Sequence, residues 1–313
     1  MNDLRPVVSI VIVSKDGLQY LRQSFPVILS QSTNLPYEIL LIDSGSTDGS
    51  VAFVERCAAT DARIRLIQIP SQEFHHARTR NLGAELAKGR YVAFLGGDAV
   101  PVDSGWLAGL LEPLRGGDDP LVVATYARQV PRAGANVVAV CRTGYNYGAT
   151  ALLQGRDLAM SQKERYHFST VSCCLDTVRV VPPLFDPTYP VGEDIALSRR
   201  IIDAGSRIAY VPESIVAHSH DYSGWDLMRR YYDNAVIHQR LSIFAPIDTS
   251  LGGDGMRYWV SSMSVLRRRS FGDLARFVFG FGCSAIGLQM GLYRRWLPST
   301  VRRALSVYWT AND

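Results

Sequence analysis

The first hundred residues alternate short apolar runs with segments of helical periodicity, and the runs break off at small or acidic residues. Residues 7–13 form a β-branched run bounded by Pro6 and by Ser14, Lys15, Asp16 and Gly17, the pattern of a buried strand. Residues 18–30 then read as a helix and residues 38–42 as a second strand ending at Asp43. The stretch from Ser44 to Gly49 reads as a turn capping a helix over residues 50–59. A strand over 64–69, a helix over 77–88 closed by Gly89, and a strand over 91–95 running into Gly96, Gly97 and Asp98 complete the series. Such alternation predicts an α/β fold, a mostly parallel sheet between helices. Ligands of open α/β sheets bind at the carboxyl ends of strands, so Ser14, Asp16, Asp43 and Asp98 are expected to converge on one crevice.

The second half is less regular. Strands are expected over residues 121–126, 169–175 and 207–211, and a helix over 194–204 stopped by Gly205. After His220 the strand pattern ends, and Leu227, Tyr231, Ala235 and His238 share one helical face. A boundary near residue 222 therefore divides a domain over 1–222 from a helical C-terminal region over 223–313. A chain of 313 residues with 47% hydrophobic content can bury the core that this division requires.

The net charge is only +4, but arginines gather in the last third, including Arg267, Arg268, Arg269, Arg294, Arg295, Arg302 and Arg303. They imply either an anionic surface as partner or solvated helix faces. Nucleic acid is not expected, because the tail lacks aromatic residues interleaved on a strand platform and any reader motif. Residues 277–293 are apolar but short, glycine-rich and interrupted by Gln289. Two readings stand for this stretch: a helix lying in a membrane interface, or one packing on its own domain through small residues. Five cysteines without C-x-x-C spacing indicate neither a disulfide framework nor a zinc site. With no secretory signal pattern at residues 1–6, a cytoplasmic location is expected.

Four strings in order, VSIVIVSKDG, EILLIDSGSTDGS, ARTRNLGAELAKGRYVAFLGGDAVP and GEDIALSRRIIDAG, resemble the family 2 inverting nucleotide-diphospho-sugar transferases of the GT-A fold. The resemblance covers residues 7–240. EFHHARTRN, GGDAVP with Trp106 behind it, YARQVPR and IVAHSHDYSGWDLMRRYYD are similar to the rhamnosyltransferase branch. It implies transfer of a sugar, L-rhamnose from dTDP-L-rhamnose, to a hydroxyl of a bacterial surface glycan, lipid-linked glycans included. The basic tail would then make peripheral contact with the inner face of the membrane. The alternatives are another UDP- or dTDP-sugar donor, or a non-catalytic nucleotide-sugar-binding protein.

By the same resemblance, Ser14, Asp16, Asp43, Arg80, Asn81 and Gly97 serve the nucleotide-sugar, and Asp98 binds Mg²⁺ or Mn²⁺ that offsets the charge of the diphosphate. The sequence departs from the family's D-x-D pattern, since Gly96 occupies the first acidic position and Ala99 follows Asp98. One carboxylate binds such ions weakly, so phosphate oxygens, waters and a histidine must complete the shell. His218 and His220 either face the metal or phosphate or anchor their loop. Asp194 is implied as the base, with Glu193 orienting it or meeting the acceptor, and a helix N-terminus favours the carboxylate form. Helix capping is the ordinary alternative for both. Asp48 reads as a turn residue and cap, Arg199 and Arg200 as phosphate ligands or helical ion-pair partners, and Phe74, Trp106 and Tyr126 as sugar-pocket or core residues.

Overall fold

A computed structural model describes residues 5–242 and 251–308 of the chain. In order it contains β1 (Val8–Ser14), α1 (Leu18–Leu29), β2 (Tyr37–Asp43), α2 (Ser50–Ala58), β3 (Ile64–Gln68), α3 (His76–Leu86), β4 (Tyr91–Gly96) and β5 (Val100–Pro101). There follow α4 (Trp106–Arg115), β6 (Val122–Val130), α5 (Val137–Asn146), β7 (Leu152–Gln154), α6 (Gln162–Tyr166), β8 (Ser172–Asp176), α7 (Glu193–Asp203) and β9 (Arg207–Ala217). The helices α8 (Gly224–Arg240), α9 (Met256–Leu266), α10 (Phe271–Leu292) and α11 (Ser299–Leu305) close the chain.

The strands form one sheet in the order β3-β2-β1-β4-β8-β6-β9-β5, with β7 beside β9. Pairing is parallel among β3, β2, β1 and β4. Beyond β4 it turns antiparallel: β8 runs against both β4 and β6, and β5 and β7 run against β9. The sheet is therefore α/β but mixed, because an apolar run marks a strand without marking its direction. The central strands are buried on both faces, as the unbroken β-branched runs require. Leu21, Phe25 and Ile28 put one face of α1 into this core, and Trp106, Leu107, Leu110 and Leu111 do the same for α4. Each such side chain contributes about 1.5–3 kcal/mol on burial.

Contacts divide the chain into two units. The first holds the chain through Gln129, Ala149–Thr188 and Glu193–His218. The second holds Val130–Gly148, Tyr189–Gly192 and the chain from Ser219 onward. Inside the second unit α5 packs on α9 and α10, and Val138, Cys141, Leu227, Leu266 and Phe277 build its core. α10 lies against α8 through Gly280, Ser284, Gly287 and Gly291, all buried. A Cβ on Gly287 would stand 2.0 Å from the Met228 carbonyl oxygen, and one on Gly291 would stand 2.5 Å from that of Tyr232. The small-residue packing read from the sequence is thus what α10 does on one face.

Candidate active site

Parallel pairing brings three strand ends side by side. Ser14 is in register with Asp43 across β1 and β2, and Val13 with Gly96 across β1 and β4. The turn after β4 lies against β1: Gly97 donates its N–H to Val13 O at 2.9 Å. A Cβ on Gly97 would come within 2.5 Å of both the Cβ and the Oγ of Ser14, so only glycine permits this approach. The Ser14 hydroxyl is buried there without a hydrogen-bond partner. Buried hydroxyls are nearly always paired, so this one marks a place where a ligand's polar group fits.

The other acidic residues of the first two strand ends shape the loops. Asp43 is fully buried; one oxygen accepts from Gly45 N at 3.0 Å and Ser46 N at 2.9 Å, and the other accepts the Ser46 hydroxyl. Asp16, exposed and left-handed at φ 48°, accepts from Thr47 N at 2.7 Å, while its own N–H donates to Ser46 Oγ at 2.8 Å. Asp48 accepts from Leu18 N at 2.8 Å and from Ser50 N at 3.0 Å, the turn and cap role expected of it. Burial pushes its carboxyl up, but hydrogen bonds from Ser50 and Leu18 outweigh that and hold it below the usual range. The loops after β1 and β2 are therefore stapled together.

At the end of β4, Asp98 Oδ2 lies 3.4 Å from His218 Nε2. His218 is the first residue after β9, and His220 follows two positions on. His220 belongs to the second unit, where its ring stacks on that of Tyr222 with centroids 5.2 Å apart. Gln129, near the end of β6, fixes the histidine: His218 Nδ1 is 2.8 Å from Gln129 Oε1, and Gln129 Nε2 donates to Ser169 Oγ at 2.9 Å. The amide orientation makes Nδ1 the donor, which leaves Nε2 with its lone pair toward Asp98 in the neutral ring. A lone pair facing a carboxylate suits a cation between them, so the donor set fits a divalent ion, with Gln129 already orienting the ring from its far nitrogen. Gln129 lies in the string YARQVPR, yet nothing in the sequence joins it to His218.

α7 opens with Glu193 and Asp194, after Gly192 at φ 76° sets the turn into the helix. Glu193 is buried and ion-paired to Arg80 of α3, Nη1 to Oε1 at 2.6 Å. The next residue on α3, Asn81, donates Nδ2 to Phe185 O at 2.7 Å and accepts Phe185 N at 2.9 Å. Arg80 and Asn81 thus hold the segment that leads into α7. Asp194 accepts from Ile195 N at 2.9 Å, and together with Arg80 it acts on the buried Cys173 of β8, which pairs with Phe94 of β4. Burial pushes the Cys173 thiol up to about 12, so it is inert at neutral pH. Arg199 pairs with Asp203 along the helix, and Arg200 donates to Pro183 O and Leu184 O. Trp106 and Tyr126 are core residues, Trp106 donating to Ser172 Oγ at 2.8 Å and Tyr126 packing on Phe168 and Tyr210. Phe74 is exposed, its ring against His76.

The model of glycosyl transferase family 2 matches residues 9–154, the span that carries the strand ends of Ser14, Asp43 and Asp98. Residues 9–154 thus carry a glycosyl transferase family 2 domain. It is 27% identical over 288 residues to the O-antigen chain rhamnosyltransferase RfbN of Salmonella typhimurium, covering 90% of this chain and 88% of that one. It is 28% identical to the O-antigen chain rhamnosyltransferase WbaN of Salmonella anatum over 281 residues, 89% of this chain and 87% of that one. Among solved structures, the mannosyltransferase PcManGT of Pyrobaculum calidifontis, in complex with GDP-Man and Mn²⁺, aligns with a TM-score of 0.59 at 16% identity, over 97% of this chain and 88% of that one. GalNAc-T7 with UDP, GalNAc and Mn²⁺ aligns at 0.53 and 16% identity, over 92% of this chain and 56% of that one. The family 2 domain thus has the GT-A fold that its motifs implied, with a helical C-terminal region.

Proposed function

We propose that this glycosyltransferase moves L-rhamnose, with inversion, from dTDP-L-rhamnose to a hydroxyl of a bacterial surface glycan, lipid-linked glycans included. Residues 1–222 would form the catalytic domain, working in the cytoplasm, and 223–313 a helical region. The observation that carries the reading is the pair of Asp98 and His218 at the end of β4, with the His218 tautomer set by Gln129. The names of RfbN and WbaN support rhamnose as the sugar and a surface glycan as the product. A mixed imidazole and carboxylate set favours Mn²⁺ over Mg²⁺, in line with the ion in the PcManGT and GalNAc-T7 structures.

In this reading Ser14 and the Asp16–Asp43 loops seat the nucleotide, and the Arg80–Glu193 pair holds the start of α7. The Asp194 carboxylate takes the proton of the acceptor hydroxyl as that oxygen bonds to the anomeric carbon from the face opposite the diphosphate. The bond between the anomeric carbon and the phosphate oxygen breaks, and its electron pair leaves with the nucleoside diphosphate. A divalent cation at Asp98 and His218 would offset the charge on that leaving group.

The test is a screen of nucleotide sugars by thermal shift and turnover, with and without Mn²⁺. dTDP-L-rhamnose should raise the melting temperature most, and only with metal. Asp194→Asn should bind it without turnover. A larger shift with a UDP-sugar would reassign the donor, and a wild type as inert as Asp194→Asn would make the chain a binding protein.

A further inference from the structure

The second unit carries a surface that glycosyl transfer does not use. α10 is 22 residues long, about 33 Å at 1.5 Å per residue, and only 22% of its most apolar stretch is buried. Its buried stripe is Phe277, Gly280, Ser284, Gly287 and Gly291. At 100° per residue the opposite stripe is Phe271, Ala275, Val278, Gly282, Ile286 and Tyr293, joined at its edge by Phe279, with Gln289 the one polar member. Phe271 is 84% exposed, Phe279 66% and Ile286 53%. A helix whose outward face is this apolar is not arranged for water.

The charges at its ends point to what covers that face. Arg267, Arg268 and Arg269 immediately precede α10 and are all exposed, and Arg294 and Arg295 follow it beside Trp296, which is 73% exposed. The Arg295 guanidinium lies over the Trp296 ring, 5.3 Å from its centroid. From Met256 to Tyr308 there are nine arginines and one acidic residue, Asp273, which accepts the hydroxyl of the N-cap Ser270 and pairs with Arg276. Apolar side chains flanked by arginines, with Trp and Tyr at one end, match a bilayer's interface, where rings sit at headgroup level and cations meet anionic lipid.

We infer that α10 and its flanking arginines form an in-plane docking surface for an anionic lipid bilayer. The helix does not cross the membrane. Its stripe of small residues is pressed on the backbone of α8, which bears Asp226, Arg229 and Arg230, so a crossing would carry those charges into hydrocarbon. Met290, one helical turn beyond Ile286, continues the apolar surface into an open groove of about 480 Å³ shared with Trp225, Met228, Val301 and Leu305. The inference rests on this unit alone, so it stands or falls separately from the donor and the reaction.

The experiment is sedimentation of the full chain with vesicles of phosphatidylcholine, with and without phosphatidylglycerol. The chain should partition onto the anionic vesicles and release with salt. R267Q/R268Q/R269Q should lower partitioning about a hundredfold, at about 1 kcal/mol for each arginine near the surface. Its melting temperature and nucleotide binding should stay at the wild-type values. Brominated lipid should quench fluorescence in the wild type and less in Trp296→Phe, a readout that needs no folding comparison. Absence of binding to anionic vesicles would overturn the inference. So would a solution dimer that Phe271→Ser and Phe279→Ser convert to monomer, or tighter binding to generic DNA than to vesicles.

Discussion

The two units handle polarity in opposite ways. In the first, the strands are apolar and buried, and polar groups gather at strand ends and a helix start where other protein groups hold them: Asp43 by Gly45 and Ser46, Glu193 by Arg80, His218 by Gln129. In the second, the buried face of α10 is Phe277 and a row of small residues, while Phe271, Phe279 and Ile286 point outward. The contrast teaches that apolar content alone does not locate a core. β1 and α10 are both apolar, but one is enclosed by a sheet and the other is covered by its neighbours on one side only.

The largest test of this contrast is chemical. Asp194→Asn should lower turnover by about 10²–10⁴-fold with nucleotide affinity retained, whereas Arg267→Gln should leave turnover in solution unchanged, both read by steady-state kinetics. The next is acid stability. Burial holds the partly buried His167 of the first unit down to about 4, with Lys163 adding to the effect. Its contribution is complete above the ordinary histidine value of about 6.5 and is lost as pH falls toward 4, a loss of about 3 kcal/mol by denaturant titration. Asp233 of the second unit is raised by burial, which outweighs hydrogen bonds from Ser306 and Val307. Its contribution has the opposite sign, present in acid and lost as pH rises through its raised value.

A third test separates the faces of α10. Gly287→Val, pressed on the Met228 carbonyl, should cost at least about 1–3 kcal/mol by chemical denaturation, while Ile286→Ser on the outward face should stay within about 0.5 kcal/mol. The smallest concerns Gln129. Gln129→Leu should weaken Mn²⁺ binding about 10–100-fold, followed by the spin-resonance signal of the free ion. Unchanged affinity would leave Gln129 as a packing residue.

Much of the first unit was legible in the sequence. β1 to β4 and the helices between them appear within a residue or two of their expected bounds, because β-branched runs and their Gly, Ser and Asp stops are local signals. Asp98 stood out at a strand end, whereas His218 and His220 stood out only through the family resemblance of the string around them. The antiparallel course of β8 did not, nor did the membership of α5 in the second unit, since neither leaves a mark in its own residues. Arg80 and Asn81 read as nucleotide ligands from their motif; the structure engages them with Glu193 and Phe185, more than a hundred positions away.

By itself the sequence determined where strands and helices begin and end, which side chains stand at strand ends, and that the tail is basic and apolar at once. Only the tertiary structure decided strand direction beyond β4, the Arg80–Glu193 and His218–Gln129 pairs, and which face of α10 is covered. Periodicity and turn chemistry act over a few residues and are written in the chain. Closing a loop costs only slightly more as it lengthens, so many distant partners were nearly equally reachable, and packing and hydrogen bonding in the folded molecule selected among them.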